Sequence, residues 1–463
     1  MQKQLALKIV IIFAIGMLVL IPTSMVQYKI YERQGYLEQA KSSVAQSWTG
    51  SQLIVSPVLV IPYRVGAAEK SGFYSSKELQ QASAKTSQRF EIVVPDNLQQ
   101  QFTVTNSSVF KGIYEVPVYG SSLSISGAFS EPKLQQALAK IKRQPRFVDI
   151  NEPYLSLHIA DMRGIDQTPE LTLNGSAVAL SPGSQIDGLA SGLHSALGGM
   201  DRLAKTLEFS LDFSLRGMGS FSFMPLADEA TSSMQSNWPH PEFIGASLPK
   251  TREITAAGFT ASWKSSRFSG YGADLMSRCA GDGHCESLRN AASGVSFIQP
   301  VDIYLQSERS IKYAMLFIGL SFITFFIFEH ITRQPIHPIQ YAFVGLAISV
   351  FYLLLISLAE HIAFIWAYTI GVLCCSSLLL FYVRYMLRSL RSAVLFSAMI
   401  VALYGVLYVI VQAEDYALLM GSILVFLVLT VLMYVTRNID WYSIATPEQS
   451  ADEKNAKELT ELI

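Results

Sequence analysis

Long runs of apolar residues mark out the two ends of the chain. One run covers residues 9–26, and five more follow one another closely after a longer, more polar region, residues 27–311. At about 1.5 Å rise per residue, each run is long enough to cross a hydrocarbon core of about 30 Å as an α-helix. The pattern predicts six transmembrane helices, one N-terminal and five in a bundle over residues 312–435, at 9–26, 313–328, 339–358, 362–383, 392–411 and 417–435.

The first apolar run resembles both a signal peptide and a signal anchor. Lys3 and Lys8 give it a basic start, but the run is longer than a usual signal-peptide core, and the sequence after it, PTSMVQYK, lacks an A-x-A-like cleavage site. We therefore predict an uncleaved anchor, transmembrane helix 1, preceded by residues 1–8.

The distribution of Lys and Arg in the short loops predicts the orientation, because positive charge is retained on the cytoplasmic side. The loops on the opposite side, LAEH and QAEDY, contain neither residue type. The prediction places residues 1–8 and the tail 436–463 in the cytoplasm and residues 27–311 in the periplasm. The cytoplasmic set holds Lys3, Lys8, Arg333, Arg384, Arg388, Arg391 and Arg437.

Residues 436–442, TRNIDWY, follow the last apolar run and combine a cation with aromatic rings. Arg437, Trp441 and Tyr442 are typical of anchors at the membrane–water interface, where amphipathic side chains place one end in water.

The region 27–311 is β-rich in its pattern. Short apolar or alternating runs such as QFTVTNS, SLSISGAF and LEFSLDFSL recur between Gly, Pro, Asn and Ser. They predict a large antiparallel β domain, a sandwich or a barrel-like fold. Two stretches favour helices instead: residues 31–48, continuing the first span outward, and the surface helix 131–144. Whether the region is one domain or two stays open.

Composition agrees with a membrane protein. Half of the residues are hydrophobic, 15% are charged, and the mean hydropathy is +0.32, which is too apolar for an ordinary soluble enzyme. The net charge is -1 and no long charged run occurs, so we expect no nucleic-acid partner. The lipid bilayer is the expected partner, with a periplasmic or inner-membrane protein as a further one.

The four cysteines fall into two pairs. Cys374 and Cys375 lie inside a predicted span and are interpreted as packing residues. Cys279 and Cys285 flank a Gly-rich stretch in the predicted periplasmic region, where an oxidising compartment favours a disulfide. A metal site formed by these two thiols and His284 is the weaker alternative, because no fourth ligand is evident.

The sequence lacks the motifs that would indicate catalysis. We find no H-E-x-x-H, G-x-S-x-G, Walker, kinase or C-x-x-C motif. We therefore expect a protein that is not an enzyme, without a cofactor or a metal. The centres of the six predicted spans also lack ionisable residues, which disfavours ion-coupled transport. Glu329, His330, Glu360 and His361 lie at span ends, where we expect solvation.

The segment SNWPHPEFIG, residues 236–245, concentrates unusual side chains in the periplasmic region. Pro239 and Pro241 fix their own φ angles and hold the preceding residues in extended conformation. Two interpretations stay open: a turn that anchors buried Trp238 on the β domain, and a recognition surface formed by Trp238, His240 and Glu242.

Several long blocks of this sequence resemble the CreD family of bacterial inner-membrane proteins. The resemblance is strongest from about residue 236 to 442 and departs from the family near Cys279 and Cys285 and at residues 65–88. The blocks are SNWPHPEFIG, LPKTREITAAGFTASW, IYLQSERSIKYAMLFIGLSFITFFIFE, IHPIQYAFVGLAISVFYLLLISLAEH and TRNIDWY, with IYERQGYLEQA and LIVSPVLVIPY earlier.

This resemblance implies an inner-membrane protein of cell-envelope integrity, associated with a two-component regulon and with colicin tolerance and β-lactam response. It implies no catalytic residues. We expect a non-enzymatic protein whose periplasmic domain contacts an envelope component. The alternatives are a transporter or lipid-handling protein that uses the five-helix bundle, and a periplasmic hydrolase that depends on His240.

Overall fold

The chain divides into two compact units. The helical unit comprises Met1–Leu37 and Val301–Ile463, and the β unit comprises Glu38–Pro300. The β unit is thus inserted in sequence between the first helix and the others, and it falls within the predicted region 27–311. A computed structural model describes residues 2–66, 86–268, 272–297, 303–332, 336–387, 389–412 and 417–437.

The helices of the helical unit follow the apolar runs closely. The first helix extends well beyond its apolar run, as predicted for residues 31–48. The elements are α1 (Gln2–Ser47) and, after the β unit, α5 (Ile303–Lys312), α6 (Ala314–Thr332), α7 (Pro338–Ala359), α8 (Phe364–Leu387), α9 (Leu390–Gln412) and α10 (Ala417–Thr436).

Among the described residues, four helices are long and apolar enough to cross a membrane: α1, α7, α8 and α9. Helices α5 and α6 meet at a 43° bend and add a fifth crossing if the pair is one broken span. The last predicted span coincides with α10. The structure therefore supports a multi-pass helical protein, while the count of six stays a prediction.

Small residues bring α1 close to the other helices of its unit. A Cβ atom added at Gly345 of α7 would lie 2.8 Å from the Val19 side chain, and one at Gly16 would lie 3.7 Å from Phe322. The Thr23 and Ser349 hydroxyls are hydrogen-bonded at 3.0 Å. Small residues and interhelical hydrogen bonds are the usual means of association where lipid surrounds the helices.

The β unit contains the strands that the alternating pattern predicts, interrupted by short helices. Its helices are α2 (Glu131–Lys142), α3 (Gly272–Asp282) and α4 (Glu286–Asn290). The strands are β1 (Gln52–Gly66), β2 (Thr86–Val93), β3 (Asn97–Lys111), β4 (Tyr114–Phe129), β5 (Phe147–Ile150), β6 (Tyr154–Ile159), β7 (Glu170–Leu173), β8 (Ser176–Val178), β9 (Ser181–Pro182), β10 (Gly192–Ala196), β11 (Leu207–Met218), β12 (Ser220–Met224), β13 (Glu229–Ser236), β14 (Pro241–Gly245), β15 (Thr251–Thr255), β16 (Gly258–Ser266) and β17 (Ser293–Phe297).

These strands form two sheets. The first runs β14-β17-β12-β1-β6-β10-β9, with β2 and β5 also paired to β1, and the second runs β15-β16-β13-β3-β4-β11-β7-β8. The prediction of an antiparallel domain is wrong at two pairings, because β1 pairs with β12 and β3 pairs with β13 in parallel. Both sheets are therefore mixed, since each contains a parallel pair among antiparallel ones.

An apolar core joins the two sheets into a sandwich. Phe102 of β3 packs against Phe223 of β12 with 5.1 Å between ring centroids, and Phe223 in turn packs against Trp263 of β16 at 5.1 Å. Along β3 the side chains alternate between exposed and buried from residue 97 to 104. This period of two places one row of each strand in the core and the other on the outer face.

Short helical segments cover parts of the outer faces. Met276 of α3 and Leu288 of α4 belong to an apolar cluster with Val58 of the first sheet. On the second sheet, the last turns of α1 contribute Val44 to a cluster with Val116 of β4. In each case, apolar side chains of the strands pack against apolar side chains of the covering helix.

Candidate functional site

In the SNWPHPEFIG segment, Trp238 is held by the β unit. Its ring is half-buried and packs edge-to-face against Phe297 with 6.5 Å between centroids. The indole Nε1–H donates a hydrogen bond of 3.0 Å to the His240 carbonyl, and Ser236 Oγ accepts one from the Trp238 backbone N–H. The ring lies partly buried at the margin of the core, so Trp238 packs on the β unit without being fully buried.

His240 and Glu242 both have exposed side chains. Glu242 lies on β14, the terminal strand of the first sheet, opposite Ser296 of β17. The segment is therefore an edge strand and the turn before it. Its role as a recognition surface stays a prediction, as does the hydrolase that depends on His240.

The structure joins Cys279 and Cys285 in a disulfide, with 4.5 Å between Cα atoms. Cys279 lies in α3 and Cys285 immediately precedes α4, so the helix continues into the Gly-rich stretch between them and ends at Asp282. Both residues are buried in the cluster that covers the first sheet. His284 is exposed, and the described residues contain no group of three His, Cys, Asp or Glu that could hold a metal.

Two histidines of the first sheet are engaged by backbone groups. His158 Nδ1 lies 2.6 Å from the Ser191 carbonyl, and His194 Nδ1 lies 2.7 Å from the Gly183 carbonyl, so each ring donates at this nitrogen. Burial lowers the pKa of His158 below 6.5, and Arg289 lowers it further. A neutral imidazole fixed in this way stabilises the loop before β10.

The outer face of the second sheet carries a surface that the sequence analysis did not recognise. Three rows of side chains cross the strands β16, β13, β3, β4 and β11, and nearly all of them are Ser, Thr or Gln. The rows are Lys264, Thr231, Gln99, Ser126 and Ser210; Ser262, Ser233, Gln101, Ser124 and Asp212; and Thr260, Gln235, Thr103, Ser122 and Ser214. We call this surface the hydroxyl–amide face.

All side chains of the hydroxyl–amide face are exposed or half-buried. Two shallow grooves of about 500 and 350 Å³ cross it, and both are lined by Gln101 and Thr103. Within each strand, the alternating pattern of the sequence already indicates which positions are polar. The strand order that brings these positions together was not visible there, because β13 joins β3 from more than a hundred residues away.

In the helical unit, Glu329 of α6 is buried at 8% exposure. Its carboxylate pairs with the Lys8 ammonium and accepts hydrogen bonds from the Tyr341 hydroxyl at 2.9 Å and the Ile336 backbone N–H at 3.1 Å. The prediction that this residue is solvated at a span end is wrong, since protein groups replace water around the carboxylate. His330 lies outside the residues whose side chains are described.

Glu360, after α7, has a similar environment. Arg33 Nε lies 3.4 Å from its carboxylate, and the Tyr304 hydroxyl donates to it at 3.3 Å. Its side chain is 10% exposed, so this carboxylate is also shielded from water, contrary to the prediction, whereas His361 is exposed. Lys8, Thr23 and Arg33 thus connect α1 to the other helices at three levels.

The remaining predicted residues lie at the helices of the same unit. Cys375 is buried, consistent with a packing role, and Cys374 is exposed. The Arg437 guanidinium lies 4.3 Å from the centroid of the Tyr434 ring. Trp441 and Tyr442 lie outside the described residues, so the interfacial anchor stays a prediction.

These features define a class: a multi-pass membrane protein of apolar helices with a large inserted β sandwich. Comparison of the sequence with known proteins assigns the chain to a family. The chain matches the family described as inner membrane protein CreD over residues 4–442. It is 30% identical over 454 residues to inner membrane protein CreD of Escherichia coli strain K12, covering 98% of this chain and 97% of that protein. The chain belongs to the CreD family.

Proposed function

We propose that this protein is a non-enzymatic inner-membrane protein that supports cell-envelope integrity. Its β unit lies in the periplasm, both termini lie in the cytoplasm, and the β unit contacts an envelope component. The helices hold the β unit at the bilayer. The relative in Escherichia coli is an inner membrane protein, and the alternation of Lys and Arg in the loops supports the orientation.

The observation that carries this proposal is the insertion of the β unit, residues 38–300, between α1 and the later helices. A domain joined to membrane helices at both ends has less freedom than one on a single tether. Three polar contacts hold α1 to the other helices, by Lys8, Thr23 and Arg33. They favour an uncleaved α1 as a permanent second tether.

Complementation of a strain that lacks this chain tests the proposal. We compare the full chain with residues 38–300 secreted free into the periplasm, and we measure survival on detergent and on a β-lactam. Expression is matched by immunoblot, and protease resistance verifies that the free β unit is folded. We expect the full chain to restore survival and the free unit to fail. Restoration by the folded free unit would refute the role of the two tethers.

A second candidate function, transport or lipid handling by the bundle, is favoured by one observation. Glu329 and Glu360 are shielded carboxylates in the helical unit, and ionisable groups at such positions often belong to ion or substrate paths. The double variant Glu329→Gln/Glu360→Gln keeps the side-chain shapes. Loss of complementation at normal protein level would support transport, and full complementation would exclude a role for these carboxylates.

A further inference from the structure

We propose that the hydroxyl–amide face of the β unit binds an N-acetylated glycan chain. The inference deepens the proposed function, because it gives a chemical class to the envelope component. It rests on that function for its biological setting, since a cell-wall glycan is met outside the inner membrane. The binding itself depends on the face alone.

The hydroxyl–amide face carries little charge. In the three rows, all side chains except Lys264 and Asp212 are uncharged, and strands β13, β3 and β4 at the centre carry only Ser, Thr and Gln. Solvent-facing surfaces usually consist of about 25–35% charged residues. A face without charge at its centre does not attract polyanions, which need Lys and Arg. It complements a neutral polar ligand.

The hydroxyl–amide face lacks apolar side chains. Cores of protein–protein interfaces are enriched in aromatic residues and Met, and none occurs at the fifteen positions of this face. The same sheet face does carry Val116 and Val118 where the end of α1 covers it. The face is therefore apolar where a protein element packs on it and hydroxyl-rich where the grooves lie.

The hydrogen-bonding groups of the face are arranged in regular rows. Hydroxyls and carboxamides donate and accept at once, which matches the hydroxyl and acetamido groups of a glycan. Neighbouring strands lie about 4.8 Å apart, so the five strands present about 19 Å of repeating polar groups. Ser and Thr have short side chains, so ordering them on binding costs little entropy.

Gln101 and Thr103 of β3 occupy the centre of the proposed site. Both line the two grooves, so a chain lying across the strands passes over them. The larger groove continues to Ser233, Ser262 and Thr251 and is also lined by Arg252 and Glu253. The smaller one continues to Ser124 and is also lined by Asp212 and Glu170. Thr105 lies two residues further along the same strand, is also exposed, and lines neither groove.

Calorimetry on the full chain in nanodiscs tests the proposal, with chitohexaose as the probe. We expect saturable binding by the natural sequence. Gln101→Ala/Thr103→Val removes two groups that make hydrogen bonds and should weaken binding about tenfold or more. Thr105→Val should bind within about twofold of the natural sequence. Ser124→Ala/Ser233→Ala, with one change in each groove, is a second variant that should also weaken binding.

Three results would count against the proposal or its glycan class. Lack of chitohexaose binding to the folded full chain at millimolar concentration would overturn the proposal, as would equal affinity in Gln101→Ala/Thr103→Val and the natural sequence. Binding that maltohexaose, a glycan without acetamido groups, matches in affinity would refute the N-acetylated class. The assay uses purified protein, so it does not depend on membrane orientation. Glycan binding together with complementation by the free β unit would refute only the tethered function.

Discussion

The two units place their polar side chains in opposite ways. In the helical unit, Glu329 and Glu360 are shielded and paired with Lys8 and Arg33 of α1. In the β unit, apolar side chains dominate the core between the sheets. Gln100 and Ser232 are buried there and hydrogen-bonded to each other, while most polar groups of the second sheet stand on its open face. In water, burial of apolar surface drives association. Among lipid tails that drive is absent, and polar or small-residue contacts select the helix neighbours.

Truncation of a buried phenylalanine in the sandwich gives the largest expected effect, and the matching truncation in the helical unit gives a smaller one. Phe102 of the sandwich is 2% exposed and Phe351 of α7 is fully buried. Phe102→Ala should cost about 3–5 kcal/mol of unfolding free energy, from lost transfer energy and a cavity. Phe351→Ala should cost less, about 2 kcal/mol, because lipid is as apolar as its neighbours and mainly the packing loss remains.

Unfolding of the two units is followed separately. Urea titration followed by fluorescence, in a background where the other four tryptophans are replaced by Phe and Trp263 is the only indole, reports on the β unit, since this ring contacts Phe223 in the core. Far-UV ellipticity during SDS titration reports on the helices. Phe110→Ala, at a residue 68% exposed, is the matched control. Equal costs at Phe102 and Phe351 would contradict the distinction between the units.

Removal of the buried carboxylate should have the next largest effect. Glu329→Ala leaves the Lys8 ammonium and the Tyr341 hydroxyl without this acceptor, and breaking a buried pair costs about 3–5 kcal/mol. Lys8 keeps some access to water at 22% exposure, so we expect the lower end of that range. SDS titration and the protein level in membranes measure the loss.

Two further variants sharpen the test of the carboxylate. Lys8→Met/Glu329→Leu removes both charges and should recover most of the stability, since an apolar pair of similar volume often replaces a buried ion pair without loss. Glu38→Ala removes a carboxylate whose side chain is 68% exposed beside Lys41 and should have little effect. A double variant as unstable as Glu329→Ala would show that the ion pair itself is required.

The sequence predicted much of the fold because its signals are local. Apolar runs located α7, α8 and α9 to within a few residues, since each helix satisfies its own backbone hydrogen bonds. The extension of α1 to Ser47 and the surface helix α2 were also predicted from local patterns.

Features that depend on distant neighbours were not predictable. The parallel pairing of β13 with β3 joins residues more than a hundred positions apart, and it alone creates the hydroxyl–amide face. The burial of Glu329 depends on Lys8, at the other end of the chain. Helix α3 was missed because Gly272 and Gly281 weaken its local helical signal. Its packing on the first sheet stabilises it.

Removal of the disulfide should destabilise the β unit by a smaller amount. Cys279→Ala/Cys285→Ala opens a loop with a sequence separation of 6, and the chain-entropy relation gives about 2 kcal/mol for so short a loop. Urea titration with Trp263 fluorescence should show this loss, and SDS titration of the helices should show none. Cys374→Ala, at an exposed residue of α8, is the control. A shift in the helical transition would contradict an effect confined to the β unit.

The smallest effect concerns pH and His158, the buried histidine of β6. Burial lowers its folded-state pKa below the unfolded value of 6.5, so the unfolded chain binds the proton more readily. The stability from the neutral ring is complete above pH 6.5 and is lost as pH falls from 6.5 towards the folded pKa. His158→Asn should remove this slope, whereas His240→Asn, at an exposed residue, should keep it. Urea midpoints of the β unit between pH 5 and 8 measure the slope, and an identical slope in His158→Asn would show that other groups cause it.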